Sequence, residues 1–257
     1  MNSVFDIKNK VLCVGSTFVV IVIFISLFVL SLPRKENKHG ESSDQLSLVN
    51  DNDATISRSY FVNNDGIITL AVDKQYAMIE RRLDSLGRTV EEFYYDENNE
   101  PVKQLSGHYG LRHYYNELNQ DVEIIYLDMS GNPVMNTSGY AISVRSFNSE
   151  NQVVKEMYFD IDYNPVKASM GEGGVLYQYD TYGRRHIVIY VSSEGKPIEN
   201  KMGYTSLLRI YNDDGSINTE FYLDSNNNNV SIPNGFNGRK IIGTHSFFVN
   251  SEGRIVF

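Results

Sequence analysis

Tryptophan is absent from this chain of 257 residues, and cysteine occurs once, at Cys13. With no cysteine after residue 13, the bulk of the chain has no disulfide framework and depends on packing for stability. Thiol catalysis is excluded from it for the same reason. Basic charge is also short. The 23 Lys and Arg against 32 Asp and Glu leave a net charge of −9 and a pI near 5.1, which argues against a nucleic-acid partner. The five histidines (His39, His108, His113, His186, His245) show no metal-binding spacing, so no metal and no cofactor is expected. No nucleophile elbow or phosphate-binding glycine loop occurs, and no enzymatic activity is expected. Beyond Leu32 no stretch has a 3.6-residue apolar period, which speaks against helices there.

Long apolar runs are missing with one exception. Residues 11–32 (VLCVGSTFVVIVIFISLFVLSL) carry no charge. At ~1.5 Å per residue a helix there reaches roughly 33 Å, enough for a hydrocarbon core of ~30 Å. A signal peptide has a shorter apolar region of about 7–15 residues and a small-residue cleavage site, which does not follow here. The segment is therefore expected to be a single transmembrane helix behind a short cytoplasmic tail, residues 1–10. Lys8 and Lys10 before it and Arg34, Lys35 and Lys38 after it leave the flanking charges nearly balanced. The character of the remaining chain favours placing it outside the membrane, in an extracytoplasmic domain. Residues 33–57 are polar, without aromatics or periodicity, and are expected to be a flexible stalk.

What the chain has in abundance is repetition. Tyr94, Tyr126, Tyr158, Tyr190 and Tyr222 stand 32 residues apart. So do Pro101, Pro133, Pro165 and Pro197, and the glycines from Gly107 through Gly139, Gly171 and Gly203 to Gly235. A fixed period marks a repeat architecture whose units bury their faces against each other. Each unit holds two stretches rich in Tyr, Val, Ile and Phe, separated by Asp/Asn-x-x-Gly/Asn turns, which reads as a β-hairpin plus a connecting turn. The expected fold is all-β: an elongated β-hairpin solenoid of 32-residue period. It comprises a degenerate half-unit at 58–73, five repeats over 74–235 and a capping unit at 236–257. A closed propeller is the alternative, but its blades of about 40 residues exceed the period.

The columns divide by face. Phe93, Ile125, Met157, Ile189 and Phe221 form one apolar column, and Tyr95, Leu127, Phe159, Val191 and Leu223 form a second on the same strand face. The tyrosine column falls between them and points the other way. Those five tyrosines are the candidate ligand-binding residues, since regularly spaced rings can stack on sugars while their hydroxyls hydrogen-bond. The competing reading is that the rings simply pack, as large aromatics usually do. The acidic turns lack the spaced carboxylates that calcium needs, and turn chemistry accounts for their Asp residues. Asn136-Thr137-Ser138 and Asn229-Val230-Ser231 are glycosylation sequons.

Tyr179-Asp180-Thr181-Tyr182-Gly183-Arg184 resembles the Y-D-x-x-G-R core of the YD repeats of bacterial surface and wrapping proteins. Tyr211-Asn212-Asp213-Asp214-Gly215 is a looser match. The layout of residues 74–235 is similar to tandem envelope-protein repeats of low-GC Gram-positive bacteria and to choline-binding repeats. The latter depend on tryptophan, so their choline cage is not carried over, and YD repeats are shorter than these units. The resemblance implies a cell-surface setting and either a wall-glycan or surface-partner binding role or a scaffolding role in envelope-polysaccharide machinery.

Overall fold

The computed structural model describes residues 46–52 and 55–256. The apolar segment 11–32, the tail before it and the stalk up to residue 45 lie outside these residues. Strands β1 (Ser47–Asn52) and β2 (Ile56–Val62) make a first hairpin. It is followed by β3 (Met78–Leu83) with β4 (Thr89–Tyr95), and β5 (Gly110–Tyr115) with β6 (Asp121–Leu127). Next come β7 (Ile142–Phe147) with β8 (Val153–Phe159), and β9 (Gly174–Tyr179) with β10 (Arg185–Val191). The last are β11 (Ser206–Tyr211) with β12 (Ile217–Leu223), and β13 (Gly238–Ile242) with β14 (His245–Val249). All fourteen lie in one open sheet, antiparallel and in sequence order. From β3 to β13 the odd-numbered strands begin at 78, 110, 142, 174, 206 and 238.

The expected stalk is corrected at its end. Residues 47–52 are a strand, paired over six positions with β2 from Ser47↔Val62 to Asn52↔Ser57. Backbone pairing needs no apolar side chains, so the polar run SLVNDN serves as an edge strand with Leu48 and Val49 exposed. The segment expected to cap the far end forms β13, β14 and a bridge Val249↔Ile255. That bridge matches Leu127↔Pro133 and its equivalents after each earlier hairpin.

Turn chemistry sets the repeat. In the hairpin turn after β9, Asp180 Oδ1 accepts from the amides of Tyr182 and Arg184, both at 2.9 Å, and Arg184 Nε donates to Asp180 Oδ2 at 2.7 Å. Gly183 takes the left-handed conformation that closes the turn, at φ 75°. The Y-D-x-x-G-R string is thus a self-contained turn, and Asp84 and Arg88 build the same one. The connector between β6 and β7 holds two more such turns. Asp128 Oδ1 takes the Ser130 and Asn132 amides, and Asn136 Oδ1 takes those of Ser138 and Tyr140. Because its amide is committed in this way and the residue is buried, the Asn136 sequon is a turn cap.

A single-layer sheet leaves both faces to be covered, and here the connectors do the covering. The Asp128 turn reaches the Phe93 face, where Arg112 Nη2 donates to Gly131 O at 3.1 Å. On that face Ile125, Leu127, Ala141 and Ile142 form a buried cluster flanked by Phe93 and Phe159. The next turn lies against the tyrosine face, where Met170, Val175, Val188, Tyr190, Tyr204, Leu207 and Tyr222 pack together. Burial of such side chains contributes about 1.5–3 kcal/mol each. Successive connectors are tied by backbone bonds of 2.8 Å: Thr137 N to Ser106 O, Ser169 N to Ser138 O, and Lys201 N to Met170 O.

Beneath the hairpin repeat lies an alternation between successive hairpins. Phe93, Met157 and Phe221 each lie opposite a glycine of the next hairpin, Gly110, Gly174 and Gly238, whereas Ile125 and Ile189 lie opposite Ile142 and Ser206. A Cβ on any of those three glycines would run into a backbone carbonyl oxygen of the facing strand. On the tyrosine face the same hairpins carry cross-strand pairs Arg81↔Glu92, Arg145↔Glu156 and Arg209↔Glu220. The intervening ones carry His113↔Ile124 and Tyr177↔Val188. Arg–Glu pairs thus alternate with pairs of a ring and an aliphatic side chain, and the Arg–Glu pairs recur at 64-residue spacing.

Candidate functional site

The five candidate tyrosines occupy the centre of their strand face and are not a free-standing row. Three of the four connectors between them insert a ring between two of them. Tyr76 lies 5.0 Å from Tyr94, and His108 lies 5.8 Å from Tyr94 and 5.0 Å from Tyr126. Tyr140 lies 5.6 Å from Tyr126 and stacks on Tyr158 at 4.2 Å and 11°. Further on, Tyr204 bridges Tyr190 at 5.5 Å and Tyr222 at 4.7 Å. Offset and edge-to-face rings at these separations add about 0.5–1.5 kcal/mol per pair beyond their burial. Tyr158, Tyr190 and Tyr222 are buried, while Tyr94 and Tyr126 are half-buried. Burial pushes the Tyr158 and Tyr190 hydroxyls well above their ordinary pKa, so they remain protonated donors.

The spine has one break. At the position of Tyr140 and Tyr204 the fourth regular unit carries Glu172, and no ring links Tyr158 to Tyr190 among the described residues. The cause is local. Asn136 and Asn200 cap their turns through the amides two and four residues on, but the equivalent residue here is Ala168. The Glu172 carboxylate lies where the Met170 and Glu172 amides, the two that an asparagine would have taken, favour its charge. Glu172 is 3% exposed, and its Oε2 has no partner. Burial raises its pKa from 4.5 to about 7, with the Lys201 charge pulling the other way.

A groove of about 590 Å³ runs over this face. It is lined by Tyr94, Tyr126, Tyr158 and Tyr190, four of the five candidates, together with Arg145, Glu156, Glu172, Tyr177, Arg185 and Arg209; Tyr222 lies outside it. Its polar groups are held in place. Glu156 accepts from Ser143 Oγ and, at 3.1 Å, from the Tyr177 hydroxyl, and it stands 3.6 Å from Arg145 Nε. Arg185 lies over the Tyr177 ring at 4.1 Å, a cation–π contact. Arg145 reaches Asp121 as well, at 3.6 Å. The groove therefore offers aromatic faces beside fixed donors and acceptors of both charges. No group of three or more His, Cys, Asp or Glu is placed to hold a metal among the described residues.

The sequence columns located the tyrosines but not the charged residues beside them. The signal for Arg145, Glu156 and Tyr177 is the alternation between hairpins, visible only when columns are read at every second unit. Glu172 is hidden by Gly171, which keeps its place in the glycine column while the residue after it changes class. Fold and groove together define a class: a repeated β-hairpin protein with one open antiparallel sheet. No protein-family model matches this chain, and no curated protein matches it either.

Proposed function

We propose that this is a non-catalytic, membrane-anchored cell-surface repeat protein that binds cell-wall glycan in its tyrosine-face groove. In this reading residues 11–32 span the membrane, and the 32-residue repeats form an elongated extracytoplasmic domain. The supporting observation is the convergence of four candidate tyrosines with Arg145, Glu156, Tyr177 and Arg185 on one groove. Flat apolar faces edged by fixed hydrogen-bonding groups are what a sugar chain requires. Binding of full-length protein to purified cell-wall glycan tests the reading. An Arg145→Ala/Tyr177→Ala variant is expected to lose most retention even when assayed well below its own, lowered, melting temperature. Equal retention of variant and parent removes the groove from consideration.

A second reading is an accessory or scaffold subunit of membrane-embedded envelope-polysaccharide machinery, acting through protein contacts. The burial of Tyr158, Tyr190 and Tyr222 favours it, because rings packed against their own connectors serve the fold first. Crosslinking of the full-length protein in intact cells separates the two. A dominant adduct to a membrane protein, with no wall adduct, supports the scaffold.

A further inference from the structure

We infer that the break in the aromatic spine is a subsite for a protonated primary amine, held by Glu172 between the rings of Tyr158 and Tyr190. This inference rests on the groove being a glycan site and adds a chemical preference to it, for an amino-bearing over an N-acylated sugar.

Three observations converge. First, the gap is specific: the position that supplies Tyr140 and Tyr204 in the same role supplies a carboxylate here, at the floor of the groove. Second, that carboxylate is underused. Its Oε2 is buried without a partner, and such an atom costs free energy until a donor meets it. Ser169 Oγ in the same turn and Asn200 Nδ2 in the turn stacked on it are also unpartnered. Third, the surroundings select charge and shape. Tyr158 and Tyr190 line the groove with the carboxylate and interact with its charge, and aromatic rings beside such a site favour a cation.

The group needed is one that brings both positive charge and N–H donors. A quaternary ammonium satisfies the rings but leaves Oε2 unpaired, and an N-acetyl group brings a donor without charge. A primary ammonium supplies both. Tyr158 from β8, Tyr190 from β10 and Lys201 from the following connector interact electrostatically with Glu172, and Arg145, Glu156, Tyr177, Arg185 and Arg209 line the same groove. Lys201 packs over Gly171 but does not pair with Oε2.

The test is calorimetric titration of the full-length protein with a glucosamine tetramer, its fully N-acetylated counterpart and putrescine, at neutral pH. The parent is expected to bind the amino tetramer about tenfold tighter than the acetylated one, the scale of one charge-assisted hydrogen bond. Glu172→Gln is expected to equalise the two. Ala168→Asn/Glu172→Tyr copies the capping residue and ring of the neighbouring units, so it is expected to fold and to equalise them as well. Equal affinities in the parent, or a preference that survives in both variants, overturns the inference. If neither tetramer binds, the glycan reading fails and putrescine decides alone: Glu172-dependent binding upholds the amine subsite, and its absence rejects it.

Discussion

Glu172 couples stability to pH with a definite sign. Its folded-state pKa of about 7 lies above its ordinary 4.5, so the folded protein holds a proton that the unfolded chain releases between those values. The favourable contribution is complete below pH 4.5 and is lost as pH rises through about 7. Glu172→Gln, which keeps the carbonyl acceptor, is expected to stabilise the protein by on the order of 2 kcal/mol at about pH 8, with little effect near pH 4. Urea denaturation across this range reads it, and parallel curves for parent and variant contradict it. His108 works in the opposite sense. Burial lowers its pKa from 6.5 to about 4, so its contribution is present above 6.5 and is lost as pH falls through about 4. Tyr163 carries a different cost. It sits at φ 62° where the equivalent turns have Asn99, Gly131, Gly195 and Asn227. A bulky residue there is strained, and its hydroxyl recovers only one exposed bond, to Glu123 at 2.7 Å. Tyr163→Asn is expected to raise stability by about 0.5–1 kcal/mol, read as a higher melting temperature.

At the scale of the strand pair, size complementarity sets how closely hairpins approach. Gly174 lies opposite Met157, with the Glu156 carbonyl where a side chain would begin. Gly174→Ala is expected to cost about 3 kcal/mol, since backbone must move to admit the methyl. A change below about 1 kcal/mol in thermal unfolding contradicts this origin for the glycine. These pairings also mark where sequence reading stops. The turns are legible because Asp180, Gly183 and Arg184 carry their bonding within five residues. The opposition of the tyrosine face to the Phe93 face is legible because alternation along a strand has a period of two. The partner of each side chain depends on register between hairpins, so Phe93 over Gly110 and Arg145 beside Glu156 emerge only from pairing. Ser47–Asn52 reads as stalk in the sequence because its strand character comes from the pairing edge of β2 and not from its own residues.

For the whole molecule, the alternation makes two hairpins the natural unit of length. Deleting residues 110–173 brings Gly174 opposite Phe93 and restores the original size match. Deleting residues 110–141, half as much chain, sets Ile142 there instead. In a nearest-neighbour repeat protein each interface contributes separately, so the larger deletion is expected to melt higher than the smaller one. The reverse order, in thermal unfolding of the two proteins side by side, contradicts a two-hairpin unit.

The sequential strand order has a mechanical consequence. With β1 at one edge of the sheet and β14 at the other, a load between the chain ends acts across the strands. Hydrogen bonds then break in succession, as in a zipper, and do not shear together. Each hairpin with its connector releases roughly 110 Å of chain at ~3.4 Å per residue. A protein held at one end and tugged at the other therefore yields softly and in instalments, as an extensible tether.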